Sequence, residues 1–137
     1  MNEAKLTSKF AHWVRDNWKG GSFAYEAKIV KAPKKSLAFR SFQPHQLPNL
    51  LKTTRSGVYH KIPDAGWLNP FDGFYLKGEA YVVIFWYEAR KQKVAHMISI
   101  EAFMGFMETC GKKSIKQEEA ESIASRVLNM NPRKALR

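Results

Sequence analysis

The sequence predicts an α/β fold, a single domain with a central β-sheet flanked by helices. Residues 3–18 carry one apolar stripe at helical spacing, made by Leu6, Phe10, Trp13 and Val14. Residues 80–87 are apolar on both faces, the pattern of a strand buried in the middle of a sheet. Helical patterns return over residues 101–110 and from Ser114 through about Leu128. A chain of 137 residues with 45% hydrophobic content can bury a core without disulfides or a structural metal. Its one cysteine, Cys110, excludes an internal disulfide framework and zinc sites built on cysteine pairs, and it fits a reducing, cytoplasmic setting.

In chain order, Gly20-Gly21 ends the first helix and turns into a β-rich run over residues 23–30. Glu3 lies beside the stripe of that helix, where the macrodipole also favours an acidic residue in the first turn. Residues 31–40 read as a basic loop with a proline and little periodicity. Residues 41–54 read as a short helix with Leu47, Leu50 and Leu51 inward, Pro44 in its first turn and an uncertain start because of Pro48. Turn signals at Pro63-Asp64-Ala65-Gly66, Asn69-Pro70 and Asp72-Gly73 divide two β-like runs, residues 58–62 and 71–76, into a hairpin with a long loop. Residues 94–100 pair back on the central strand. Ser99 caps the next helix, whose Phe and Met residues form core, and Gly111 closes it. Ser114-x-x-Gln117 reads as a capping box for the last helix, with Ile115, Ile123 and Val127 inward. Residues 131–137 form a basic tail.

Charge is the dominant compositional feature. There are 23 Lys and Arg against 12 Asp and Glu, a formal net charge of +11. Such an excess in a small domain points to a polyanionic partner, and nucleic acid is the first expectation. No basic amphipathic helix suits a membrane surface, no apolar leader is visible, and no apolar run is long enough to span a bilayer.

Within the 23–30 strand, alternation puts Glu26 and Lys28 on one face and Tyr25, Ala27 and Ile29 on the other. A carboxylate and an ammonium on a largely apolar strand are costly to bury unless they are paired or used. One reading is an edge-strand ion pair; the other is a metal-ligating carboxylate with a lysine beside it. Asp72, on the apolar face of the 71–76 run, is a second acid in an unexpected place. Asp64 suits a turn by its local hydrogen bonding. The four histidines lack the spacing of a zinc site. Carboxylate oxygens suit hard Mg2+ or Mn2+, and a basic surround suits a phosphodiester substrate. Lys31, Lys34, Lys35 and Arg40, leaving from the Glu26 strand, are the expected phosphate contacts. Glu88-Ala89-Arg90 repeats the acid-x-base spacing but falls in a turn.

Tyr25-Glu26-Ala27-Lys28, the basic loop, and Phe42-Gln43-Pro44-His45-Gln46-Leu47 together resemble the PD-(D/E)XK nuclease superfamily, and more narrowly the bacterial Holliday-junction resolvase family RecU. The likeness covers roughly residues 23–51 and extends weakly to the 80–87 and 94–100 strands and Glu101-Ala102. It implies a restriction-endonuclease-like fold with a mixed sheet and a Mg2+- or Mn2+-dependent endonuclease of bacterial or phage origin. It also implies that Glu26 ligates the metal, Lys28 activates water, and Gln46 supports the site from its helix, with Glu3 as a further support. The superfamily's metal-binding aspartate comes from the strand before the Glu-x-Lys strand, and no such strand fits here. The hairpin bearing Asp72 is therefore expected to have moved downstream while keeping its place in the sheet, with Asp64 in reserve. Resolvases of this kind cut branched DNA as symmetric dimers, which assigns Tyr59 and Trp67 to an expected homodimer interface. A non-catalytic, basic nucleic-acid-binding domain and a scaffold that docks on acidic partners are the rival expectations.

Overall fold

The computed structural model describes residues 3–61, 73–91 and 93–130. Helix α1 (Glu3–Asn17) leads into strand β1 (Phe23–Lys31), the short strand β2 (Ser36–Ala38) and a 3-10 turn (Phe39–Ser41). Helix α2 (Gln46–Arg55) follows, then β3 (Val58–Lys61), β4 (Gly73–Leu76), β5 (Glu79–Tyr87) and β6 (Val94–Ser99). Helix α3 (Ile100–Thr109), β7 (Ser114–Lys116), α4 (Gln117–Ile123) and β8 (Arg126–Asn129) complete the described chain. Among the described residues no helix is long and apolar enough to cross a membrane.

A four-stranded sheet in the order β1-β5-β6-β8 forms the centre. β1 runs parallel to β5, from Phe23 opposite Glu79 to Lys31 opposite Tyr87. The β5–β6 and β6–β8 pairs are antiparallel, so the sheet is mixed. β5 is buried from Ala80 to Trp86, as its two apolar faces require. Alternation sends Val82, Ile84 and Trp86 to one face, against Leu47 and Leu50 of α2, Phe103 of α3 and Ala120 of α4. Tyr81, Val83 and Phe85 face the other way, against Leu6 and Phe10 of α1. The sheet thus lies between α1 on one side and α2, α3 and α4 on the other. The Ser99 hydroxyl caps α3 by accepting the Ala102 N–H at 3.2 Å.

Several stretches differ from the sequence reading. Residues 31–40 are not all loop: β2 pairs antiparallel with β7 and buries Leu37 and Ile115 against the core. Helix α2 starts at Gln46 rather than near Ser41. Pro48 then sits in its first turn, where a missing N–H costs little. The last helix stops at Ile123, and Ser114 belongs to β7. The capping contact lies two residues along, with Glu119 Oε1 accepting the Lys116 N–H at 2.9 Å. Residues beyond the helix pair with β6 as β8, which buries Leu128 and leaves Val127 53% exposed. The Ser125 N–H and hydroxyl hold the intervening turn, both bonding the Met97 carbonyl, at 2.8 and 3.1 Å.

β3 and β4 pair antiparallel, as the hairpin reading requires, but as a ribbon of their own. The expectation that this hairpin keeps a place in the central sheet is corrected. Among the described residues β1 is hydrogen-bonded to β5 alone. The ribbon is instead fastened to the end of α2. The Tyr75 hydroxyl donates to the Ser56 carbonyl, and its ring packs where Gly57 has no side chain and a φ of 88°. Asp64, Trp67, Asp72 and the basic tail 131–137 lie outside the described residues.

A buried histidine ties β5 to β6. His96 is fully buried, and its Nδ1 accepts the Trp86 indole N–H at 2.7 Å. An indole nitrogen only donates, so His96 is neutral with its proton on Nε2. That Nε2–H has no hydrogen-bond acceptor among the described residues; Glu121 Oε1 of α4 stands 3.9 Å away. Burial pulls the imidazole below its ordinary pKa of 6.5, and Glu121 opposes this only in part. The unfolded chain takes up a proton near pH 6.5 while the folded chain resists it. Stability is therefore full above that pH and falls as pH drops below it. Melting curves between pH 8 and pH 5 are expected to show this decline. In His96→Leu the decline is shallower, and at pH 8 the variant is less stable by about 1–3 kcal/mol for the orphaned indole donor. A wild-type melting temperature that stays flat over this range contradicts the assignment.

Candidate active site

The site begins with the alternation of β1. Ala24, Glu26, Lys28 and Val30 share the face that α2 covers, with Val30 in the core and Ala24 packed against it. Parallel register sets Glu26 beside Val82 and Lys28 beside Ile84, so the two charges rest on an apolar wall. Their side chains keep 29% and 19% of their exposure, neither buried nor free in solvent.

The chain arriving from β2 builds the other wall. The 3-10 turn closes with the Phe42 N–H on the Phe39 carbonyl at 3.2 Å. This presents the Ser41 carbonyl to Lys28, whose Nζ donates to it at 3.0 Å. The ammonium also lies 5.1 Å from the centroid of the Phe42 ring, within range of a cation–π attraction. Its distance to Glu26 Oε2 is 3.8 Å, well beyond the roughly 2.7–2.9 Å of a charge-assisted hydrogen bond.

Gln46, the first residue of α2, completes the group. Its Nε2 donates to Glu26 Oε2 at 3.0 Å, and its Oε1 accepts the Gln43 N–H at 2.9 Å. A backbone N–H only donates and a carboxylate only accepts, so the two contacts fix which way the amide points. Glu26 Oε2 is thereby held, while no hydrogen bond engages Oε1 among the described residues.

Three of the sequence-derived residues, Glu26, Lys28 and Gln46, therefore converge. Lys31, Lys34, Lys35 and Arg40 are all exposed, at the end of β1, in the loop after it and in the 3-10 turn. Glu3 heads α1, whose Leu6 and Phe10 pack on the opposite face of the sheet. Asp72 and Asp64, the expected second carboxylates, lie outside the described residues. Ser41, Phe42 and Gln43 were not singled out as site residues. Two of them act through main-chain atoms, which carry no side-chain signature. The signal available was the spacing of Gln43 and Gln46, one helical turn apart at a helix start.

The donor set bears on a metal. Among the described residues no three His, Cys, Asp or Glu side chains are gathered to hold an ion. Mg2+ is commonly held by one or two carboxylates with waters and substrate phosphates completing its shell. Glu26, with one oxygen unengaged, suits that mode. No protein-family model matches the chain, and no curated protein or solved structure does. The site must therefore be judged on its own geometry.

Gln46→Ala removes both amide contacts and is expected to destabilise the protein by about 1–3 kcal/mol in urea unfolding, the range for bonds that include a charged partner. An unchanged midpoint contradicts the contacts described.

Proposed function

We propose that the chain is a metal-dependent DNA endonuclease of the PD-(D/E)XK type, acting on branched DNA in the manner of RecU-type resolvases and working as a homodimer. The carrying observation is the convergence of Glu26, Lys28 and Gln46, from a strand and a helix twenty residues apart in sequence. The mixed sheet with helices on both faces supports a restriction-endonuclease-like fold.

Each residue has a part in phosphodiester hydrolysis. Glu26, steadied through Oε2 by Gln46, would hold Mg2+ or Mn2+, with Asp72 or Asp64 proposed as the second carboxylate. The ion, when bound, supplies Lewis-acid polarisation of the phosphate and a more acidic water. Lys28 spends one ammonium proton on Ser41 and keeps two that can orient the attacking water and offset charge growing on the phosphorus. Lys31, Lys34, Lys35 and Arg40 bind neighbouring phosphates, so affinity falls with rising salt.

The test is cleavage of labelled four-way junction, duplex and single-stranded DNA, with Mg2+ or EDTA, by wild type, Glu26→Ala and Lys28→Ala. Cleavage is expected to require Mg2+ and to favour the junction. Lys28→Ala should slow it by about 10²–10⁴-fold, the range for a positioned proton-transfer group, while DNA binding persists. Cutting that survives EDTA and both substitutions refutes the nuclease reading. Binding without cutting in every protein, wild type included, identifies a non-catalytic nucleic-acid-binding domain instead.

A further inference from the structure

A second feature lies on the same strand as the candidate site. Beyond Lys28 on the same face comes Val30, and here a cleft of about 850 Å³ opens at the carboxyl ends of the parallel strands β1 and β5. Lys34 and Lys35 line one side of the cleft and Lys91 another. Lys91 approaches Glu88 at 3.9 Å. Neither Lys34 nor Lys35 makes an ion pair among the described residues. Tyr87, half-buried, and Pro33, exposed, add ring surface, while Trp86 also borders the cleft but is 6% exposed and bonded to His96. Gln117, Glu88 and Glu118 supply polar groups.

These features suit one ligand class better than others. Two uncommitted ammoniums suit a phosphate, but the cleft is far larger than a bare phosphate needs. Ring surface suits the face of a base. Carboxylates, which repel phosphate, accept hydrogen bonds from exocyclic amino groups such as those of cytosine and adenine, which thymine lacks. We infer that the cleft is a nucleotide subsite, taking one nucleoside 5′-phosphate unit, with its phosphate on Lys34 and Lys35 and its base against the Tyr87 side. Under the nuclease reading, on which its role in DNA cleavage rests, it seats a nucleotide flanking the cut.

The experiment is a titration of the full chain with dCMP, dTMP and inorganic phosphate, followed by the indole 1H–15N signals and assigned with Trp86→Phe. The Trp86 signal is expected to shift with dCMP, saturably, and more weakly with dTMP. Lys34→Ala/Lys35→Ala should weaken dCMP at least tenfold. No shift of Trp86, equal response to inorganic phosphate, equal affinity for dTMP, or full affinity in the double variant overturns the subsite. Nucleotide binding in a protein that cuts no DNA supports the subsite and removes only the nuclease reading. Cutting without nucleotide binding does the reverse.

Discussion

The parallel pairing of β1 with β5 is the constraint on which the rest depends. Two parallel neighbours cannot be joined by a tight turn, so the chain must cross over one face of the sheet before it returns. That crossover carries β2, the 3-10 turn and α2, and it delivers Ser41, Phe42 and Gln46 onto the face where alternation has put Glu26 and Lys28. A slip of one residue in β1 would turn both charges towards α1 and send Ala27 and Ile29 under α2. The core forbids it, since Val30 is buried on one face while Ala27 and Ile29 pack on the other.

This geometry also bears on why the charges are there. An ion pair of such partial exposure is worth about 0.2–1 kcal/mol, too little to account for setting a carboxylate and an ammonium against Val82 and Ile84. A pair placed for stability closes to contact. Here Lys28 turns to a carbonyl and an aromatic ring, Glu26 turns to an amide, and they face one another across 3.8 Å. Each charge of this ion pair is thus also engaged by a further group, and the excess of positive charge around them suits an anionic partner. Proteins commonly give up some stability to keep such groups in place.

Much of this was legible in the sequence. Period-two alternation put Glu26 and Lys28 on one face, and an apolar run without alternation marked β5 as central. The Phe42-to-Gln46 segment located the amide that reaches Glu26. What escaped has identifiable causes. Residues 114–128 read as one helix because residues near a helix end fit the 3.6-residue and two-residue periods about equally over so short a span. Long-range pairing with β6 decided the matter, burying Leu128 instead. β2 and β7 are three residues each, too short for any period, and they exist because Leu37 and Ile115 are buried together against the core. The hairpin was recognisable from its turns, but its attachment rests on a Tyr75 bond to a main-chain carbonyl and on the missing side chain of Gly57, which no alternation pattern reports.

The central claim is that Glu26 and Lys28 are placed for chemistry and not for the fold. Urea unfolding of Glu26→Gln and Lys28→Met tests it most directly, since both substitutions keep the side chain's bulk and remove its charge. Glu26→Gln retains an oxygen for the Gln46 amide. If the claim holds, each variant unfolds within about 1 kcal/mol of wild type or is more stable, as replacing partly buried charges often makes a protein. A loss of about 3–5 kcal/mol in either, the signature of a broken buried pair, would show that the two charges hold the fold together, and would contradict the account.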